Sequence, residues 1–131
     1  MNKKTKFLGL KKTFTRLHGP KGCLWDKKQT HESLLPYLKE EAREFIKAVG
    51  KRDYENMKEE LGDLLLQVMF HAKIAERQRH FTIEDVIDVL EKKLKRRHPH
   101  VFSGVKVSSR EEIIRNWKKI KRKEKSGRRK A

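Results

Sequence analysis

The chain has 131 residues, which suits one domain with one modest core. It carries 35 Lys and Arg against 18 Asp and Glu, a formal net charge of +17 that calls for an acidic partner: a nucleic acid, an anionic membrane or a phosphorylated small molecule. Its one cysteine, Cys23, rules out an internal disulfide, and no apolar run approaches the ~20 residues of a membrane span, so a soluble, cytoplasmic protein is expected.

The charge is unevenly distributed. Lys3, Lys4, Lys6, Lys11 and Lys12 open the chain, and the stretch from Lys118 to Lys130 is almost wholly basic. Between them, Glu40 to Asp63 holds eight of the 18 acidic residues, which suggests a separate task for each sign.

A short helical stretch with Phe14 and Leu17 leads into a loop, His18-Gly19-Pro20-Lys21-Gly22-Cys23. A helix is predicted from about Thr30 to Val49, with Leu34, Leu38, Phe45 and Val49 at helical spacing and Gly50 as its stop. Pro36 must sit in its first turns or kink it. A second helix, about Asp53 to Arg79, carries a continuous apolar stripe from Tyr54 to Ala75, wide enough to predict burial. A third starts at Thr82, faces Val86, Ile87, Val89, Leu90 and Leu94 inward, and ends near Arg97 before Pro99. A fourth starts at Ser109, with Glu112 completing a capping box, and carries Ile113, Ile114, Trp117 and Ile120. Residues 122–131 lack apolar periodicity and are expected to form a basic, disordered tail after a domain of residues 1–121. No strand-like alternation occurs, so the predicted fold class is all-α, an antiparallel helical bundle.

Two carboxylate pairs border the apolar stripes. Glu41 and Glu44 lie in Glu40-Glu41-Ala42-Arg43-Glu44, and Glu60 and Asp63 in Glu59-Glu60-Leu61-Gly62-Asp63. Residues three apart are neighbours on a helix. If the two helices form an antiparallel hairpin, four carboxylates converge, an arrangement that a hard divalent cation would relieve. Magnesium or manganese suits this set better than iron, because the Glu-x-x-His pattern of di-iron bundles is absent. Gly62 beside Asp63 leaves room for a ligand's approach. The competing reading is ordinary solvated helix charge.

Lys93 and Arg97, four apart, read either as a phosphate clamp or as a solvated basic helix end favoured by the helix dipole. His98 and His100 flank Pro99, where they shape a turn more readily than they ligate a metal. Trp25 and Trp117 can each stack on a nucleobase or fill a core or lid position.

The segments Gly22-Cys23-Leu24-Trp25-Asp26, Gln29-Thr30-His31-Glu32-Ser33-Leu34, both acidic clusters, Arg96-Arg97-His98-Pro99-His100-Val101-Phe102 and Asn116-Trp117 together resemble the MazG family of nucleoside triphosphate pyrophosphohydrolases, in the right order over roughly Lys12 to Lys121. The resemblance implies the all-α NTP pyrophosphatase fold, an obligate homo-oligomer such as a homodimer that completes the core, and hydrolysis of NTP or dNTP to the monophosphate and pyrophosphate. It implies magnesium on Glu41, Glu44, Glu60 and Asp63, with Glu40 and Glu59 as alternates. Glu41 or Glu44 would also orient the attacking water. Lys93 and Arg97 match phosphate-contacting positions and Trp117 a substrate-contacting one, with Trp25 as a further stacking candidate. Leu24, Arg43 and Lys118 depart from the family pattern, where proline, tyrosine and an acidic residue are common. The alternative is a basic helical nucleic-acid-binding protein, and the tail offers a weak nucleic-acid contact even to an enzyme.

Overall fold

The computed structural model describes residues 3–130. Seven helices follow in order: α1 (Lys3–Leu17), α2 (Leu24–Lys28), α3 (His31–Gly50), α4 (Tyr54–Arg77), α5 (Ile83–Arg97), α6 (Pro99–Phe102) and α7 (Arg110–Lys130). The described residues contain no strand, and no helix is long and apolar enough to cross a membrane. The chain divides into two compact units, one ending at Ile83 and one beginning at Glu84.

The first unit is built on the α3–α4 hairpin. Thr30 caps α3 in a reciprocal box with Ser33: each side chain accepts from the other's backbone N–H. Pro36 lies inside α3 without ending it. The predicted stop at Gly50 is displaced by two residues. Gly50 stays helical, and Arg52 takes the left-handed backbone, with φ 53°. The Asp53 N–H then reaches back to the Ala48 carbonyl at 2.9 Å, closing a Schellman-type turn. Asp53 at once caps α4 by accepting from the Asn56 N–H. Such a tight double cap forces α4 to run back along α3.

Phe14 of α1, Leu34 of α3, and Met69, Phe70 and Ile74 of α4 form the core, with Ile83 packed against it. The Phe14 and Phe70 rings meet edge-on at 5.3 Å. The loop after α1 returns tightly on itself. Cys23 N–H donates to the Leu17 carbonyl at 2.8 Å, and a Cβ at Gly22 would lie 2.0 Å from that same oxygen, so only glycine fits there. The Arg77 guanidinium donates to the Lys27 carbonyl at 2.7 Å, tying the α2–α3 junction to the end of α4.

Burial of the α4 stripe differs from expectation. Its second half is buried, but Tyr54, Leu61, Leu65 and Val68 are exposed in the single chain, as is Ile46 on α3. Two helices and one short partner cover one side of a broad stripe, not both.

In the second unit, α5 buries less than predicted: Ile87, Val89, Leu90 and Leu94 are all exposed in the single chain. The cap of α7 is a variant of the expected box. Ser109 Oγ accepts from the Glu112 N–H, while the Glu112 carboxylate accepts from the Ser108 N–H and hydroxyl instead. Residues 122–130, expected as a disordered tail, continue α7 as helix. Lys, Arg and Glu are good helix formers, and Glu124 is bound to two arginines of α5.

Candidate active site

The hairpin brings the two carboxylate pairs within electrostatic reach of each other. Burial raises the Glu41 carboxyl above its usual range, the nearby Asp63 charge raises it further, and Glu60 and Glu40 add to this against a lowering hydrogen bond from Gln67. Glu60 is raised in the same way, by desolvation and then by Asp63, Glu44, Glu59 and Glu40. The charges that raise these two groups all belong to other carboxylates. Glu41 Oε2 is buried without a hydrogen-bond partner. Glu44 lies 4.0 Å from Lys47.

A hard divalent cation suits this site in donor chemistry: four carboxylates, two with raised pKa, and one orphaned buried oxygen. Among the described residues, however, no three His, Cys, Asp or Glu side chains are already grouped tightly enough to hold a metal ion. Gly62 faces open space; a Cβ there would meet nothing.

Two features of this unit escaped the sequence reading. Gln67 is buried, and its Oε1 has no partner. His31 and His71 stack face to face across the hairpin, 5.0 Å between ring centres, with their Nδ1 atoms 2.7 Å apart. Burial and the neighbouring His31 lower the His71 pKa. One ring must donate and the other accept. Counting outward equally from the turn at Arg52 would have found the histidine pair, since it sets Glu44 opposite Glu60, Glu41 opposite Asp63 and His31 near His71. Trp25 is half exposed on α2 and edges onto Tyr37 and Phe70 at 6.1 and 6.3 Å.

The second unit gathers Arg97 and Trp117. The Arg97 guanidinium lies 5.2 Å from the Trp117 ring centre and donates from Nη2 to Glu124 at 2.8 Å. Glu124 also receives Arg96, and the two arginines hold its carboxyl down to about 2. Lys93, one turn before Arg97, is half-buried. His98 stands at the N-terminus of α6, its Nδ1 2.6 Å from the Leu94 carbonyl and its ring edge-on to Trp117, while His100 lies within α6 with its Nδ1 buried and unpartnered.

These features define an all-α protein with an acidic hairpin face and a separate arginine–tryptophan contact. The family model for the MazG nucleotide pyrophosphohydrolase domain matches residues 29–102, and the chain belongs to that family. It is 54% identical over 110 residues to the nucleoside triphosphate pyrophosphohydrolase/pyrophosphatase MazG of Thermotoga maritima, covering 84% of this chain and 42% of that protein. It is 39% identical over 112 residues to the nucleoside triphosphate pyrophosphohydrolase of Escherichia coli K12, covering 85% and 43%. The Bacillus subtilis protein YabN is 52% identical over 110 residues, 84% of this chain and 22% of that one. The chain thus spans less than half the length of these relatives. Among solved structures, a mazG-related protein from Thermotoga maritima superposes with a TM-score of 0.64 at 35% identity, over 76% of this chain and 87% of the other.

Proposed function

We propose that this chain hydrolyses nucleoside triphosphates to the monophosphate and pyrophosphate. One observation carries the reading: carboxylates on both arms of the hairpin raise one another's pKa and leave Glu41 Oε2 buried without a partner. Clustered anions of this kind repel a triphosphate unless a cation lies between. Glu41, Glu44, Glu60 and Asp63 would hold magnesium, or manganese in its place, which when bound neutralises phosphate charge and lowers the pKa of water. Glu41 or Glu44 would orient the water that attacks the α-phosphorus, taking up its proton. Lys93 and Arg97 would bind phosphate oxygens, and Trp117 and Trp25 offer faces for a base. Incubation with each NTP and dNTP, with Mg²⁺ or with EDTA, tests this through the products. NMP and pyrophosphate formed only with the metal are expected; NDP and orthophosphate as main products would overturn the reading.

A homo-oligomer belongs to the same proposal. Ile46, Tyr54, Leu61 and Val68 are exposed on the hairpin, and a second copy of the chain would bury them. A second reading, nucleic-acid contact, is favoured by α7. Arg115, Lys118, Lys119 and Arg122, spaced along one helix face, line with Asn116 a cleft of about 380 Å³. A steep loss of RNA or DNA binding with salt, absent from a variant in which these four are neutralised, is the expected sign.

A further inference from the structure

Three residues on one face of α7, Trp117, Ile120 and Glu124, are withdrawn from solvent, while the intervening Lys118, Lys119, Lys121, Arg122 and Lys123 are exposed. Glu124 lies two helical turns beyond Trp117, so both look the same way. Its side chain is 11% exposed, and that of Arg97 is 10% exposed. A nearly buried ion pair at the far end of a very basic helix is a costly arrangement to form without a task.

The geometry around Arg97 shows what that task is. Trp117 covers the guanidinium at 5.2 Å, and Glu124 takes Nη2 at 2.8 Å. A guanidinium has five N–H donors in a fixed planar fork, and one oxygen on Nη2 leaves most of them open. Arg97 Nε is buried with no partner. The second Glu124 oxygen is taken by Arg96, which fixes the carboxylate in turn. The guanidinium plane is therefore held by a ring and an anchored anion, with donors left over for a further anion.

We infer that Glu124 is a positioning residue for anion binding: it orients Arg97 against Trp117 so that the remaining guanidinium donors meet the phosphates of the substrate. This rests on the proposal that Arg97 binds substrate phosphate. The depressed Glu124 pKa agrees, because the carboxylate stays charged throughout the neutral range. A plug that competes with phosphate would instead fill the open donors.

The test measures kinetics in the full parent chain and emission in the chain carrying Trp25→Phe, in which Trp117 is the sole tryptophan. Glu124→Gln keeps the shape and removes the charge. With Mg²⁺ and a nucleoside triphosphate, we expect KM to rise by about tenfold, the scale of one charge-assisted hydrogen bond, with kcat within about threefold. The Trp117 emission maximum should shift in the same variant as the guanidinium loosens from the ring, a readout that needs no turnover. A fall in KM would make Glu124 a competitor of the phosphates and overturn the inference. Unchanged KM and emission would overturn it too. Arg97→Ala separates the two levels. If Arg97→Ala raises KM and Glu124→Gln does not, positioning fails alone; if Arg97→Ala leaves KM unchanged, the phosphate-binding reading fails with it.

Discussion

The α3–α4 hairpin and the α5–α7 pair treat charge in opposite ways. On the hairpin, carboxylates face carboxylates, two of them are pushed toward protonation, and a buried oxygen has no partner. Between α5 and α7, one carboxylate receives two arginines and is held ionised down to about 2. The first arrangement is unfavourable until something positive arrives. The second is held by its own partners, with the Arg97 plane fixed and its Nε buried without a partner. The contrast separates a site whose ligand supplies the missing charge from one that the chain has already organised.

Removing charge from the hairpin gives the largest expected effect. Glu60→Gln and Asp63→Asn preserve shape, so the fold should persist while metal-dependent hydrolysis falls by at least ~100-fold. Without metal, both variants should melt at a higher temperature than the parent, because repulsion has been relieved. Near-parental turnover by both would show that these are solvated surface charges, and the comparison would collapse.

A smaller effect should appear in how pH and metal act on stability. Glu41 and Glu60 have raised pKa values in the folded chain, so folding favours their protonated forms. Their contribution is favourable at acid pH and is lost as pH rises from the ordinary carboxylate range through their folded values. Thermal melts in EDTA and in Mg²⁺ should therefore diverge above that window and converge below it. His71 adds a term of the other sign. Its pKa is lowered, so stability is present above the ordinary histidine value and declines as pH falls through the folded one. In His71→Gln the decline below the ordinary histidine value should flatten. Curves for variant and parent that run parallel there would remove the histidine pair from the account.

Much of this was legible in the sequence, for a physical reason. Helical periodicity and end signals depend on local residues, so Thr30, Asp53 and Ser109 mark the starts of three helices correctly. The carboxylate pairs were legible because a three-residue spacing shares a face. What was missed depends on contacts distant in sequence. His31 with His71 and Arg97 with Glu124 need the register between helices before they become visible. The wide stripe of α4 likewise records apolar surface without saying what covers it. Residues 122–130 carry no apolar signal, and what engages that stretch of helix is an ion pair.

The smallest expected effects lie at the start of α7, where the Glu112 carboxylate is already matched by hydrogen bonds. Ser109 Oγ accepts from the Glu112 N–H, so Ser109→Ala should cost ~1 kcal/mol of stability at any pH. Glu112 is different, because its carboxylate accepts from the Ser108 N–H and hydroxyl, and these two bonds lower its pKa. Its contribution is present above the ordinary carboxylate value and is lost as pH falls through the lower, folded one. Glu112→Gln should therefore destabilise the chain at neutral pH and match the parent in strong acid. Denaturant melts of both variants at neutral pH and near pH 3 distinguish the two caps. A Glu112→Gln loss that did not change with pH would mean the carboxylate acts through shape alone. Its charge would then be unmatched, and the contrast between the two regions would stop short of this helix.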